Sequence, residues 1–215
     1  MKKIAICRAS FYVTGAAFLA VGLTLNTKTG LGTAPIISTP FAISQIWHVN
    51  FAGMVFVFYG IMTCLQFLLK GKQRSWHIFL QLPFSIMFSL LLNWLGTVLS
   101  FHYTNLWQNL LLLLAAIVIT AVGVSMMVNM KLIPNPADGF AQTIGEVLGK
   151  DMGFGKNIVD ISFVIMTCVI SLVFGGALIG IGIGTAISML GVGRVIALFQ
   201  HFFREKMMRI AGITS

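Results

Sequence analysis

Ionisable residues are scarce in this chain of 215 residues: fourteen Lys and Arg, five Asp and Glu, and four His. Each one that falls inside an apolar run is a candidate for chemistry, because an ionisable group in hydrocarbon is costly and is kept where it is paired or functional. Arg194 stands in the last apolar run and Asp160 toward the matching end of the run before it, so an Arg194–Asp160 structural ion pair is expected. Asp138 and Glu146 lie eight residues apart, two helical turns, on a segment whose apolar face is Phe140, Ile144 and Leu148. That pattern predicts an amphipathic helix resting on a membrane surface. His48, His77, His102 and His201, and Cys7, Cys64 and Cys168, share no ligand spacing, so neither a metal site nor a disulfide is expected. No hydrolase, kinase or metalloprotease motif occurs, and no two carboxylates share a span where they could do acid/base work. The expectation is recognition or passage of a solute, without a cofactor, and not catalysis.

The neutral polar residues cluster more tellingly. Asn26 and Thr29 lie just before the turn-rich string GLGTAPIISTP, Gly30, Thr33 and Ser38 lie within it, and Gln45 follows it. A short helix is expected over residues 34–47, with Thr33 as its cap and Pro35 in its first turn, so that free N–H groups point at an outward cavity and could bind a polar or anionic ligand. Asn93 beside Trp94, an amide next to an aromatic face, joins them as a candidate for holding a flat polar ring. Gly180, Gly182 and Gly184 in the sixth run either allow close helix packing or mark an unwound stretch. Their spacing lacks the last glycine of a dinucleotide fingerprint, and no strand–helix–strand context surrounds them.

These residues must be positioned by membrane-spanning helices. The chain is 58% hydrophobic and 9% charged, with a mean hydropathy of +0.96, whereas soluble domains are about 45–50% apolar and about 25% charged. Six runs are long enough to cross a bilayer core of about 30 Å: residues 9–25, 51–69, 76–99, 106–130, 158–174 and 177–199. The fold class is therefore all-α and polytopic, a single integral membrane domain over residues 1–215. Twelve of the fourteen basic residues lie at alternate ends of the runs, and the opposite loops hold only Lys28. The positive-inside rule then places both termini in the cytoplasm and makes the net charge of +9 an orientation signal and not a nucleic-acid footprint. Trp47, Trp94 and Trp107 fit the outer boundary and Trp76 the inner one. The alternation requires the first run to be retained as a helix, not cleaved as a signal peptide.

An internal repeat is also legible. The string Ile-Met-Thr-Cys occurs at residues 61–64 and 165–168, each time after a Gly- and Pro-containing stretch, GLGTAPIISTP and IPNPADGFAQTIG. Halves of residues 1–105 and 106–215 would each cross the membrane three times, which makes them opposite in orientation, a 3+3 inverted repeat of the kind many transporters use.

At GLGTAPIIST, PADGFAQTIGEVLG and GGALIGIGIGTAISMLGVGRVIALF the sequence resembles the YczE/YyaS/YitT family of bacterial integral membrane proteins. It departs from that family's Trp-Asp-type pair at Ile36 and Ile37. The chain is also similar to the S components of energy-coupling factor vitamin transporters, six-helix proteins that bind a vitamin from outside and dock on a T subunit and two ATPases. That resemblance implies that Ala16 and Ala20, an Ala-x-x-x-Ala pair in the first helix, form the docking patch, and that the outer loops close over the ligand. The expected function is uptake of a small vitamin-like or heterocyclic compound across a bacterial cytoplasmic membrane as such an S component. A stand-alone permease of the YczE/YitT type is the alternative, and a structural or regulatory membrane protein without a ligand is the third possibility.

Overall fold

The structure, a computed structural model, describes residues 2–73 and 75–213. Its helices are α1 (Lys2–Lys28), α2 (Pro35–Trp47), α3 (Phe51–Leu69), α4 (Gln81–Val98), α5 (Leu106–Asn129), α6 (Pro136–Val147), α7 (Met152–Gly175) and α8 (Ile183–Ile210). Two 3₁₀ turns, Gly71–Gln73 and Trp76–Leu80, lead into α4. Six segments are long and apolar enough to cross a membrane: Ile4–Lys28, Phe51–Leu69, Trp76–Val98, Leu106–Asn129, Met152–Gly175 and Ile183–Ile210. The protein is thus a multi-pass, all-helical membrane protein, as its composition requires, since a lipid-exposed backbone must satisfy its hydrogen bonds within each segment. The sixth span starts at Ile183 and not near residue 177, because Gly176 and Gly180 adopt left-handed φ values of 69° and 78° that end one helix and delay the next.

Helices α2 and α6 have 13 and 12 residues, about 18–20 Å at 1.5 Å per residue, too short to cross. Both begin with proline in the first turn, where its missing N–H costs nothing. Each starts half way along a neighbouring span and runs outward to one face. Thr39 Oγ1 of α2 donates to the Phe163 carbonyl at 3.3 Å, and α2 ends where the Trp47 ring meets Phe174, centroids 5.3 Å apart. Asn135, capping α6, donates to Tyr59 Oη at 3.5 Å in the middle of α3, and α6 ends where Glu146 pairs with Lys70 at 3.1 Å. The expectation of a surface helix over Asp138 to Glu146 is therefore corrected. Pro136, Ala137, Asp138, Gly139, Ala141, Thr143 and Gly145 are buried, because α6 is wedged between α3 and α7 with its small residues inward.

The order long, short, long, long recurs in α1–α4 and α5–α8 at a constant spacing of 101 residues, from Pro35 to Pro136 and from Phe51 to Met152. The Ile-Met-Thr-Cys strings, 104 apart, fall one turn out of that register. The Gly–Pro punctuation before each short helix, and not the shared string, marks the repeat. The two halves meet most extensively where α1 crosses α5. A methyl added at Gly22 would collide with Thr120 and Ala116, and one at Gly123 with Leu19 and Gly15. The pairs Gly15/Ala116, Leu19/Thr120 and Gly22/Gly123 obey the same spacing, so the crossing is reciprocal and a pseudo-two-fold axis passes through it. Each short helix packs across the interface, α2 on α7 and α6 on α3, and each also packs within its own half, α2 on α3 and α6 on α7.

The amino- and carboxy-terminal ends share one face, called here the terminal face: Gly212 lies against Ile4, and Met207 and Ala211 pack with Met126 and Met130. Arg74, which belongs to the basic pattern at this face, lies outside the described residues, as do the side chains of Lys2 and Lys3.

Candidate functional site

The pseudo-two-fold axis leads to a narrow internal cavity of about 50 Å³, room for a few water-sized molecules. Its walls include the pairs Leu19/Thr120, Leu23/Val124, Ala34/Asn135 and Tyr59/Asp160, each again 101 residues apart, so it sits on the repeat interface between the starts of α2 and α6. The two halves differ in charge at this point. Asp138 lines the cavity, whereas its counterpart 101 residues earlier is the buried, apolar Ile37; Asp160 and Lys156 come from the first three turns of α7.

Asp160 is 2% exposed, and both its oxygens accept from Lys156 Nζ one turn earlier, at 3.2 and 3.0 Å. The expected Arg194–Asp160 pair does not form: Arg194 points out from α8 and is exposed, while Lys156 on Asp160's own helix reaches the carboxylate without an interhelical gap to bridge. Asp138 is 9% exposed, lines the cavity and accepts no hydrogen bond from the described residues. With all three groups ionised, the two carboxylates and one ammonium leave the centre with one net negative charge among apolar walls. The positive end of the α6 dipole, in whose first turn Asp138 stands, offsets part of it. Tyr59, Asn135, Thr120 and Ser188 supply neutral polar groups around the same space.

The cavity connects unequally to the two faces. Asn135 and Asp138 also line a vestibule of about 320 Å³ beside Lys131 and Met152 on the terminal side. On the far side a pocket of about 360 Å³ between residues 27–33 and 178–183 shares no wall residue with the cavity. Backbone bonds close that route: Thr33 N–H and Oγ1 donate to the Gly180 carbonyl at 2.8 and 3.1 Å, and Gly184 N–H to the Leu31 carbonyl at 2.8 Å. Side chains at Gly32 or Gly182 would push these two stretches of backbone apart.

The residues expected to bind a ligand separate into two groups. Asn26, Thr29, Gly30, Thr33 and Ser38 gather around the α1–α2 linker, mostly as internal ties. Asn26 Nδ2 donates to Ser188 Oγ at 2.9 Å, directly behind the cavity wall, with its Oδ1 unpartnered. Thr29 Oγ1 donates to the Asn26 carbonyl at 2.9 Å, and Gly30 turns the chain with a φ of 66° into the far-side pocket. Thr33 does not cap α2, whose N-cap is Ala34; it is spent on Gly180. Ser38 and Thr39 share the Thr167 hydroxyl at 2.7 and 2.8 Å, a knot that fixes α2 to α7. Gln45 is exposed near the end of α2. Asn93 accepts from Asn50 Nδ2 at 2.8 Å, tying α4 to the start of α3, and Trp94 is 58% exposed on the outside of the bundle. Neither Asn93 nor Trp94 reaches the pocket, because their stretch of α4 faces away from the repeat interface.

Ala16 and Ala20 are 1% and 0% exposed in the main core. Their expected role as a docking patch is corrected: small side chains here let α1 pack inside the bundle and are out of reach of a partner. Outside the spans, partial burial pushes the Glu146 carboxyl up, but Lys70 at 3.1 Å and Gln142 at 2.7 Å outweigh it and hold the group below its ordinary value. No group of three or more His, Cys, Asp or Glu side chains that could hold a metal occurs among the described residues. Asp138, Lys156, Tyr59 and Asn135 are the site residues that sequence reasoning passes over. The signals are an acid two residues after the helix-starting Pro136 and the Lys156/Asp160 spacing of one turn.

Among the described residues, eight α-helices in two similarly ordered halves around a charged central cavity define a polytopic membrane protein. The chain belongs to a family of unknown function, DUF6198, whose model matches residues 6–201. No curated protein and no solved structure matches it.

Proposed function

We propose that this chain is a stand-alone transporter of a small solute, a secondary carrier of inverted-repeat design in a bacterial cytoplasmic membrane, with its terminal face inside. One observation carries the reading: a buried, charged cavity on the pseudo-two-fold axis, between two half-length helices that start at the middle of the spans. Discontinuous helices meeting at the repeat interface are how many carriers expose a site to each face in turn. The open vestibule beside Asp138 and the closed far side at Thr33 and Gly180 suit one end-state of such a cycle. Basic residues crowd the terminal face, and Lys28 is the far side's counterpart, which supports a cytoplasmic terminal face. The resemblance to the YczE/YitT type agrees with this choice. The S-component reading is weaker on two counts. Its docking alanines are buried, and a cavity of about 50 Å³ is far below the several hundred Å³ that a vitamin-sized ligand fills.

The test works without first naming the solute. The purified chain is reconstituted alone in liposomes, incubated with a bacterial metabolite extract, and the retained small molecules are compared by mass spectrometry with those of empty liposomes. Enrichment by the isolated chain, lost in Asp160→Asn, is the expected result. Enrichment only when ATPase subunits co-purify would restore the S-component reading. No enrichment in either preparation would leave a structural or regulatory protein.

A further inference from the structure

Asp138 is the one buried carboxylate that the fold leaves without a hydrogen bond among the described residues. Asp160, its neighbour in the cavity, is gripped through both oxygens by Lys156, and that pair is neutral as a unit. The groups facing Asp138 from the elements around it are Lys156 and Asp160 of α7, Tyr59 of α3, and Lys131 at the end of α5, which borders the vestibule. Helices α1 and α8 contribute Leu19, Leu23, Ser188, Val192 and Ile196, none of them charged. An uncompensated carboxylate among apolar walls costs several kcal/mol, and the α6 dipole returns at most about 2 kcal/mol of it. The remaining cost is met by protonation of Asp138 or by one positive charge from outside the chain.

We propose that the central cavity is a binding site for one small monovalent cation, an alkali or ammonium-type ion, with the Asp138 carboxylate as its principal ligand. The proposal rests on the transporter reading above and names the class of solute or coupled ion that this site takes. Size and charge set the class. A single net negative charge matches a monovalent ion, whereas a divalent ion would leave the site positive and demands six or more oxygen ligands. A proton needs no room, but here a space for a few water-sized molecules adjoins the unpaired carboxylate. Tyr59, Thr120, Ser188 and Asn135 line the same space; the oxygens of Tyr59, Ser188 and Asn135 already accept from Asn135, Asn26 and Ala137, so each has one lone pair left to complete the coordination. Asn135 and Asp138 border both the cavity and the vestibule, so an ion entering from the terminal face would pass them.

Thermal unfolding of the purified full chain in detergent tests this with chloride salts of Li⁺, Na⁺, K⁺, NH₄⁺ and methylammonium, at constant ionic strength against N-methyl-D-glucamine, which is too large for the cavity. At least one of the small cations should raise Tm in a saturable way. Asp138→Asn should weaken that cation's apparent affinity at least tenfold, and, because it removes an uncompensated buried charge, its Tm in N-methyl-D-glucamine should be no lower than that of the parent. If Asp138→Asn fails to fold, Asp138→Glu, which keeps the charge and alters the geometry, should change the order of preference among the cations. Stabilisation that follows pH alone, that is greater with Mg²⁺ or Ca²⁺, or that survives in Asp138→Asn would each overturn the proposal. Cation binding without enrichment in liposomes of any solute, the bound cation included, would sink the transporter reading and leave the cation site standing. Enrichment without cation binding would do the reverse.

Discussion

Lys156 and Asp160 show how a charge survives inside a span. Separated by one helical turn, they meet without recruiting another helix, and the 3.0–3.2 Å geometry lets one ammonium satisfy both carboxylate oxygens. Breaking such a pair from one side exposes a buried charge and costs about 3–5 kcal/mol, far more than the pair itself contributes. Lys156→Met should therefore lower stability by about that amount in detergent unfolding, and adding Asp160→Asn should recover most of it. Arg194→Gln, by contrast, should change stability by less than about 0.5 kcal/mol, because Arg194 is exposed and Asp160 has its partner already. A large loss in Arg194→Gln would mean that the ion pair lies elsewhere. That Asp160 needs a cation follows from its place in an apolar run; which cation does not. Sequence position ranks Arg194 and Lys156 alike, and only their directions around α8 and α7 separate them.

Among the elements, the α1–α5 crossing is the most constrained. Gly22 and Gly123 bring two backbones so close that a side chain at either meets the other helix's backbone or Thr120. Overpacking of this kind costs about 1–3 kcal/mol, and more where backbone must move. Gly123→Leu should accordingly reduce the monodisperse fraction in size-exclusion chromatography and lower Tm, while Gly193→Leu on α8, which has open space around its Cα, should do neither. Equal damage from both would show that the added side chain and not its place at the crossing is at stake, since leucine favours a helix over glycine at either position. The spans are legible in the sequence because length and apolarity suffice to define them. The two short helices are visible through Pro35 and Pro136, yet the place of α6 inside the bundle is not. Its apolar stripe of Phe140, Ile144 and Leu148 looks interfacial until the small face of Ala137, Gly139, Ala141 and Gly145 is seen to admit α3 and α7.

At the scale of the whole molecule, charge asymmetry and repeat symmetry act together. Inverted halves would fit a membrane either way up; in the orientation proposed above, the basic residues at the terminal face would break the tie. In a background with Cys7, Cys64 and Cys168 replaced, Thr104→Cys in the α4–α5 loop should react with an impermeant maleimide in intact cells, and Lys150→Cys in the α6–α7 loop only after the membrane is opened. The opposite pattern would invert the orientation and put the vestibule beside Asp138 outside.

Composition and run length by themselves determined that this is a helical, six-span membrane protein with two turn-initiated short helices, because hydrocarbon permits few other solutions for so apolar a chain. Residues such as Thr33, Ser38 and Asn26 announced a polar region in the same way. Which polar groups meet is set by how the helices pack. Hydrogen bonds to Gly180, Thr167 and Ser188 absorb those residues as ties, whereas the reciprocal packing of α1 on α5, and of each short helix on the opposite half, carries Asp138, Asp160, Lys156 and Tyr59 to one point on the axis. That convergence depends on contacts about a hundred residues apart, and no local spacing encodes it.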